Sequence, residues 1–249
     1  MNLVLLAAAG VAAGAINSAV GSGTLLTYPL LLAAGLPPVV ANGTNSLGIS
    51  PGNAAGAFVY RNKLSGRRTI ILGLMLMIGF GAVIGASLVL RLPARVFEAV
   101  VPWLIIGACV LVVIQPRISR FISSRGIDPL NLPKAAIYPL MFLVGIYAGY
   151  FGAAQGILLI AVLGTMYSTE IQVSNAAKNV LQGVSNFVAA LVFVIAGAVS
   201  WPAAIAVGSG ALVGGFIGAP IAKRMPDAAL RLLIVTIGLI AAAVSIWRH

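Results

Sequence analysis

A single lysine lies inside a long, otherwise uncharged segment of this 249-residue chain, and its neighbours could help it to hold an anion. Four polar side chains follow Lys178 in the same segment: Asn179, Gln182, Ser185 and Asn186. In a helix, residues 178, 182, 185 and 186 share one face. A lysine near the centre of a membrane helix costs roughly 2.5–3.5 kcal/mol on insertion scales, so a partner must offset that cost. A bound anion would do so; the alternatives are snorkelling to the membrane interface and pairing with Glu170.

Two glycine-containing breaks in apolar segments offer a second kind of anion-binding group, the free backbone N–H groups of helix N-termini. The candidate ligands at the first break are Asn17, Ser22, Gly23 and Thr24, and those at the second are Gln155 and Gly156. The segment after the first break adds Thr44 and Asn45 as candidates and also carries Ser46 and Asn53. Non-helical backbone at membrane depth is tolerated only where protein or water satisfies its polar groups. We therefore expect both breaks to line a binding site.

The two breaks belong to two copies of one unit. Gly10, Gly14 and Gly21 recur at the same spacing as Gly145, Gly149 and Gly156. Residues 41–47 are echoed by residues 175–181, which pairs Asn45 with Asn179. A duplicated apolar unit with glycine-broken segments is typical of transporters that hold their substrate where the repeats meet. For Gly10 and Gly145 a second interpretation is open, in which small residues only let helices approach closely.

Composition indicates an integral membrane protein. Hydrophobic residues make up 61% of the sequence and charged residues 8%, which is too little polar surface for a water-soluble protein of this size. The net charge of +11 arises from basic residues clustered in loops, without the interleaved aromatic residues of a nucleic-acid site. We therefore expect the lipid bilayer and a small anionic substrate as partners, and no nucleic acid. A homo-oligomer is compatible with the sequence.

Catalytic chemistry finds little support in the residue types. The histidine is the last residue, His249, and the four acidic residues are scattered over loops and helix ends. The one cysteine, Cys109, lies in an apolar run, so neither an intramolecular disulfide nor a thiolate metal cluster can form. No nucleophile with its base, no paired carboxylates and no phosphate-binding loop can be assembled. The sequence predicts a protein that is not an enzyme, with no cofactor and no metal.

Apolar runs interrupted by glycine and proline predict an all-α, polytopic bundle of membrane helices. The predicted helices cover residues 3–16, 24–35, 39–60, 69–90, 96–115, 135–151, 157–167, 172–196, 202–222 and 228–247. Residues 1–116 form the first membrane repeat, 117–133 a basic linker and 134–249 the second repeat, all within one integral domain. Whether the segments 24–35 and 157–167 span the membrane or re-enter from one side stays open.

The basic residues predict the orientation of the chain. Because lysine and arginine favour the cytoplasmic side, we expect loop 61–68 and linker 117–133 in the cytoplasm and both termini outside. The equivalent helix ends at residues 60 and 196 then fall on opposite sides, which makes the repeats inverted. Two parallel repeats are the alternative, and they would place a basic loop outside.

Several motifs resemble a known family. The run Gly21-Ser22-Gly23-Thr24-Leu25, with Tyr28-Pro29 and Ala41-Asn42-Gly43-Thr44 further on, is similar to the first repeat of the TauE/SafE family of sulfite and organosulfonate exporters. Gly149-Tyr150-Phe151-Gly152 with Ala176-Ala177-Lys178-Asn179 resembles the second repeat. The resemblance covers essentially the whole chain. It implies a permease of the bacterial cytoplasmic membrane that moves small sulfur-containing oxyanions or related organic anions, usually outward.

These observations predict a secondary transporter of small anions that works by alternating access. The resemblance implies sulfite or organosulfonates as the substrate class and export as the direction. A passive anion channel and a permease for other organic anions are the alternatives, and the sequence leaves the coupling ion open. Uphill flux distinguishes a transporter from a channel.

Overall fold

The computed structural model describes residues 2–64, 68–124, 136–168 and 170–222, together with a few isolated positions between residues 232 and 243. The described part is helical throughout. Its α-helices are α1 (Leu3–Ala19), α2 (Thr24–Ala33), α3 (Pro38–Val59), α4 (Arg68–Arg91), α5 (Ala94–Ser124), α6 (Ile137–Tyr150), α7 (Gln155–Met166), α8 (Ile171–Ile195) and α9 (Trp201–Ala222). A short 3-10 helix, Arg61–Leu64, precedes α4. The last predicted helix, residues 228–247, lies almost wholly outside the described residues.

Two helices are longer than the sequence predicted. The predicted end of α1 at residue 16 is wrong, because the Ser18 hydroxyl donates to the Gly14 carbonyl and lets Asn17 and Ser18 complete the last turn. The chain turns only at residues 20–23, where Gly21 has a φ of 81°. In addition, α5 continues to Ser124, so residues 117–124 of the predicted linker are helical.

In the described part of the chain, four helices are long and apolar enough to cross a membrane: Thr69–Arg91, Ala94–Ile114, Gln172–Ile195 and Trp201–Gly218. The shorter apolar helices are α1, α2, α6 and α7. Helix α3 has 22 residues but carries many polar side chains, and those of Asn42, Thr44, Asn45 and Asn53 are buried inside the bundle. It therefore presents polar groups to protein, as a helix at a membrane-embedded site must.

Glycine contacts hold α1 against α9 and α6 against α4. A Cβ added at Gly10 would lie 2.3 Å from the Val207 carbonyl oxygen, and one at Gly145 would lie 2.4 Å from the Ile78 carbonyl oxygen. These backbones approach as closely as small residues allow in membrane bundles. The structure therefore decides in favour of the packing interpretation for Gly10 and Gly145, and each broken helix packs on a helix from the other predicted repeat.

Helices α3 and α8 cross at the centre of the bundle. A Cβ at Gly43 would meet Phe193, one at Gly183 would meet Asn53, and one at Gly56 would meet Asn179. Because residue numbers rise along α3 as they fall along α8, the two helices run in opposite directions. Asn53 lies close to their crossing point.

The two broken helical pairs reverse direction beside this crossing. We call residues 20–23, between α1 and α2, the first turn, and residues 151–154, between α6 and α7, the second turn. The end of α1 lies next to α3, since Asn17 bonds to Asn53. The backbone N–H of Gly156, at the start of α7, donates to the Gly21 carbonyl at 3.0 Å. The fold thus brings both turns and both central helices to one place.

Candidate substrate site

The first contact in the candidate site joins the two predicted repeats through their backbones. Besides the hydrogen bond from Gly156 to Gly21, a Cβ placed on either glycine would lie 2.3 Å from the Cα atom of the other. Such a distance is far below any real carbon–carbon contact. Both positions therefore require glycine, and the recurrence of these glycines in the sequence reflects this approach.

Lys178 caps the end of α1. Its Nζ atom donates to the carbonyl oxygens of Asn17 and Ser18, both at 3.1 Å, and the side chain is 0% exposed. The Asn179 amide adds a longer bond to the Ser18 carbonyl at 3.4 Å. The last carbonyls of a helix have no intrahelical donor and form the negative end of its dipole, so a cation is favoured there.

Asn17 connects four segments of the site. Its Nδ2 atom donates to Asn53 Oδ1 on α3 at 2.7 Å, while its Oδ1 atom accepts from the Gly23 N–H at 3.0 Å. The same Oδ1 atom accepts from Gln182 Nε2 on α8 at 3.1 Å. Gln182 also donates to the Gly21 carbonyl at 3.3 Å. One buried amide thus fixes the relative positions of α1, the first turn, α3 and α8.

The two alternatives to an internal role for Lys178 are wrong. A snorkelling lysine would expose its ammonium, whereas this one is completely buried. Glu170 instead pairs with Lys63 at 3.2 Å, where both side chains are about half exposed. Among the residues that the structure describes, no carboxylate forms an ion pair with Lys178. The site therefore holds a buried amino group whose contacts are with neutral groups.

Three predicted ligands lie elsewhere. The Asn45 amide donates to Thr24 Oγ1 at 3.2 Å, and its oxygen accepts from the Thr27 hydroxyl. The Thr44 hydroxyl accepts from the Ser200 N–H at 2.9 Å. Asn45 precedes Asn53 by about two helical turns, or roughly 12 Å along α3. The described hydrogen bonds of Thr24, Thr44 and Asn45 therefore join neighbouring segments and do not involve Lys178, although Asn45 and Asn179 are both buried.

Several polar atoms around the turns are buried without a protein partner in the described part of the chain. Gln155 donates to the Ser185 hydroxyl at 2.6 Å, but its Oε1 atom has no donor among the described residues. The other unpaired atoms of the predicted and neighbouring residues are Ser22 Oγ, Asn53 Nδ2, Asn179 Oδ1, Gln182 Oε1 and Asn186 Nδ2. Buried polar groups in folded proteins are nearly always paired, so water or a ligand is expected here.

The structure brings most of the predicted ligands together and adds contacts of two buried amides that the sequence did not single out as ligands. Lys178, Asn179, Gln182, Asn17, Gly23 and Gly156 are brought together as expected. In the sequence, Asn53 is one of several polar residues of its helix. In the structure, its side chain accepts a hydrogen bond from Asn17 at the crossing of α3 and α8. Asn42 donates to the Tyr150 carbonyl at 2.9 Å and caps α6. The repeat in the sequence could have pointed to Asn42, because Asn42 lies on α3, the helix that corresponds to α8, which carries Lys178.

An all-helical membrane bundle with two broken helical pairs meeting at buried amides is the architecture of a transporter. The model of the family described as "Sulfite exporter TauE/SafE" matches residues 6–245. The chain therefore belongs to the TauE/SafE family, a family of membrane transporters, and is a multi-pass membrane protein.

Three relatives extend this result. The chain is 28% identical over 237 residues to a probable membrane transporter protein, ORF9, from Sinorhizobium sp, covering 95% of this chain and 89% of the relative. It is 32% identical over 214 residues to the probable membrane transporter protein YfcA of Escherichia coli K12, covering 86% and 76%. A probable membrane transporter protein of Haemophilus influenzae is 23% identical over 233 residues, covering 94% and 90%. No solved structure matches the chain significantly.

Proposed function

We propose that this protein is a secondary transporter that exports small anions, with sulfite and organosulfonates as its substrate class, by alternating access. The description of the family supports this substrate class, and the site supplies a chemical reason for anions. Membrane transport itself is the property that the relatives share by name.

The observation that carries the proposal is the isolated amino group of Lys178. An ammonium group has three N–H donors, and two of them are used by the carbonyls of Asn17 and Ser18. The third is available to an oxyanion. A charge-assisted hydrogen bond in a water-poor site is stronger than a neutral one, and the substrate would then act as the counter-ion.

Amide and hydroxyl donors near the turns support the same substrate. Asn53 Nδ2, Asn186 Nδ2 and Ser22 Oγ are buried without protein acceptors in the described residues. Sulfite and sulfonate groups present three oxygen acceptors to such donors. The separate Thr24, Thr27 and Asn45 cluster is internally bonded and has no place in the proposed substrate contacts.

Two features support alternating access over a passive channel. Lys178, Asn179 and Gln182 are at most 1% exposed, as expected for an occluded state, whereas an open pore would expose the residues that line it. The antiparallel crossing of α3 and α8 agrees with inverted repeats, whose relative rocking opens such a site to each side in turn.

The decisive experiment measures anion flux by the purified full chain in liposomes. Radiolabelled sulfite, thiosulfate, methanesulfonate and acetate are compared for transport down a gradient and for accumulation against one. Uphill accumulation of a sulfur oxyanion supports the proposal. Downhill movement alone indicates the channel, and transport of acetate alone indicates a permease for other organic anions.

Replacing Lys178 by glutamine tests its role in the site. The glutamine amide still has N–H donors for the end of α1 but carries no charge, so the variant should insert and purify normally. A lost charge-assisted bond is worth about 1.5–3 kcal/mol, so anion affinity should fall about 10- to 150-fold. Lys63→Gln, the same exchange at an exposed lysine, is the matched control. Unchanged affinity in Lys178→Gln would assign Lys178 a structural role only.

We also propose a location in the bacterial inner membrane, with the 3-10 helix in the cytoplasm and both termini outside. Cysteine labelling tests this orientation in a Cys109→Ser background. Asn62 lies in the exposed 3-10 helix, and Ala196 is exposed after α8, near the opposite end of the bundle. An impermeant thiol reagent added to intact cells should label Ala196→Cys and spare Asn62→Cys. The reverse pattern would invert the proposed orientation.

A further inference from the structure

The end of α1 resembles a coupling-ion site in which the protein itself supplies the cation. Transporters with broken helices coordinate their coupling ions through unwound backbone carbonyls and the C-terminal ends of half-helices. Here α1 ends beside the crossing of α3 and α8. The carbonyl oxygens of Asn17 and Ser18, at the end of α1, each lie 3.1 Å from Lys178 Nζ. The amino group therefore occupies the kind of position at which such transporters bind a coupling cation.

The number of hydrogen bonds fits both protonation states of this amine. The protonated group has three N–H donors, and the neutral amine has two. Because the structure shows two carbonyl acceptors, the neutral amine can keep both contacts after it loses a proton. Loss of a proton therefore removes the charge but keeps the two hydrogen bonds that join α8 to the end of α1.

The surroundings give the charge little other compensation. The titratable side chains described on the elements that pack against α8 are Tyr60, Arg61, Lys63, Arg91, Tyr138, Tyr147, Tyr150 and Tyr167. Lys63 pairs with Glu170 at the surface, and Tyr147 donates to the Ala153 carbonyl. Tyr60 and Tyr167 lie at the ends of α3 and α7. Among the hydrogen bonds of the described residues, those of Lys178 go only to the carbonyls of α1.

We infer that Lys178 is the coupling site for a proton, so that each anion crosses together with one proton. The neutral amine of the empty site takes up a proton and an anion to give an ammonium–anion pair, and both leave together on the other side. A monovalent anion then crosses without net charge and without sodium, so net export requires that the outward gradient of the anion exceed any inward gradient of protons. This inference rests on the proposed anion transport, and linkage requires that anion binding raise proton affinity.

The wild-type protein in liposomes tests the coupling without any substitution. The probes are methanesulfonate and thiosulfate, which stay ionised at neutral pH and carry no proton themselves. The medium is sodium-free, a trapped pH dye reports protons, and potassium with valinomycin clamps the voltage. One proton moving with each methanesulfonate, in the same direction, supports the inference. Flux of either anion without proton movement overturns the inference and leaves anion transport intact. Flux of neither contradicts the proposed substrate class as well.

Lys178→Arg sharpens the test, because a guanidinium stays protonated in proteins. This variant should retain part of the anion binding and exchange internal for external anion, but its net flux coupled to protons should be lost. Lys63→Arg, the same exchange at the surface, should behave as the wild type does. Net proton-coupled flux at the wild-type rate in Lys178→Arg would place the proton elsewhere and overturn the assignment.

Discussion

The two turns come from equivalent positions of the repeat but differ in their chemistry. The first turn is surrounded by polar groups, and the helix before it is capped by Lys178 and Asn179 of the other repeat. The second turn contains two completely buried alanines, Ala153 and Ala154, and the helix before it is capped by the neutral amide of Asn42.

Under the proposed function, this difference gives the two repeats of the sequence one anion site instead of two. In each repeat, a central helix caps the broken helix of the other repeat, and the glycines bring the turns into contact. Only the cap from α8 includes an amino group. Under the proposed function, Lys178 would attract the anion to one side of the junction, and the second turn would contribute mainly backbone and Gln155.

The largest expected effect on stability comes from replacing glycines of the two turns by alanine. Gly21→Ala places a Cβ 2.3 Å from the Gly156 Cα, and its φ of 81° already disfavours any residue but glycine. Overpacking and left-handed strain together should cost about 3–5 kcal/mol. Gly152→Ala has a similar φ of 70° but meets only the Ala148 carbonyl at 2.9 Å, so it should cost roughly 1–2 kcal/mol. Thermal unfolding in detergent and anion flux measure both; equal losses would mean that the contact between the turns is unimportant.

A smaller effect is expected when the hydrogen-bonded amides of the two turns are removed. Asn17→Ala takes partners from Asn53, Gln182 and the Gly23 N–H, and should cost about 3 kcal/mol together with most of the anion affinity. Asn42→Ala leaves one carbonyl, that of Tyr150, unpaired and should cost about 1–3 kcal/mol. Anion binding should be unchanged in Asn42→Ala. Loss of binding in both variants would show that the turns act as one site with no chemical division.

The smallest expected effect is a stabilisation of the second turn. Ala154 has a φ of 55°, a left-handed conformation that costs a residue with a Cβ roughly 1–2 kcal/mol. Ala154→Gly should therefore raise the melting temperature, by an amount that corresponds to at most about 1 kcal/mol once the greater freedom of unfolded glycine is counted. Ala153→Gly, at a neighbouring position with no positive φ, should not stabilise the protein. A lower melting temperature for Ala154→Gly would mean that packing of its methyl group outweighs the strain.

Local sequence determined the helices and most of the residues of the candidate site. Apolar runs bounded by glycine and proline predicted the described helices to within a few residues for most ends, because these signals act within a turn or two. The cost of a charge in hydrocarbon was sufficient to single out Lys178. The recurrence of Gly21 as Gly156 marked the two breaks, although their mutual contact was not foreseen.

The tertiary structure alone decided which polar groups meet. Asn45 and Asn53 are residues of the same type on the same helix, but two turns of helix direct one to Thr24 and the other to Asn17. The sequence could not show that α1 continues to Ala19 and that its final carbonyls accept from Lys178, because this contact depends on the packing of α8 against a helix more than half the chain away. Helix boundaries follow from neighbours in sequence, whereas the partners of a buried side chain follow from how the helices cross.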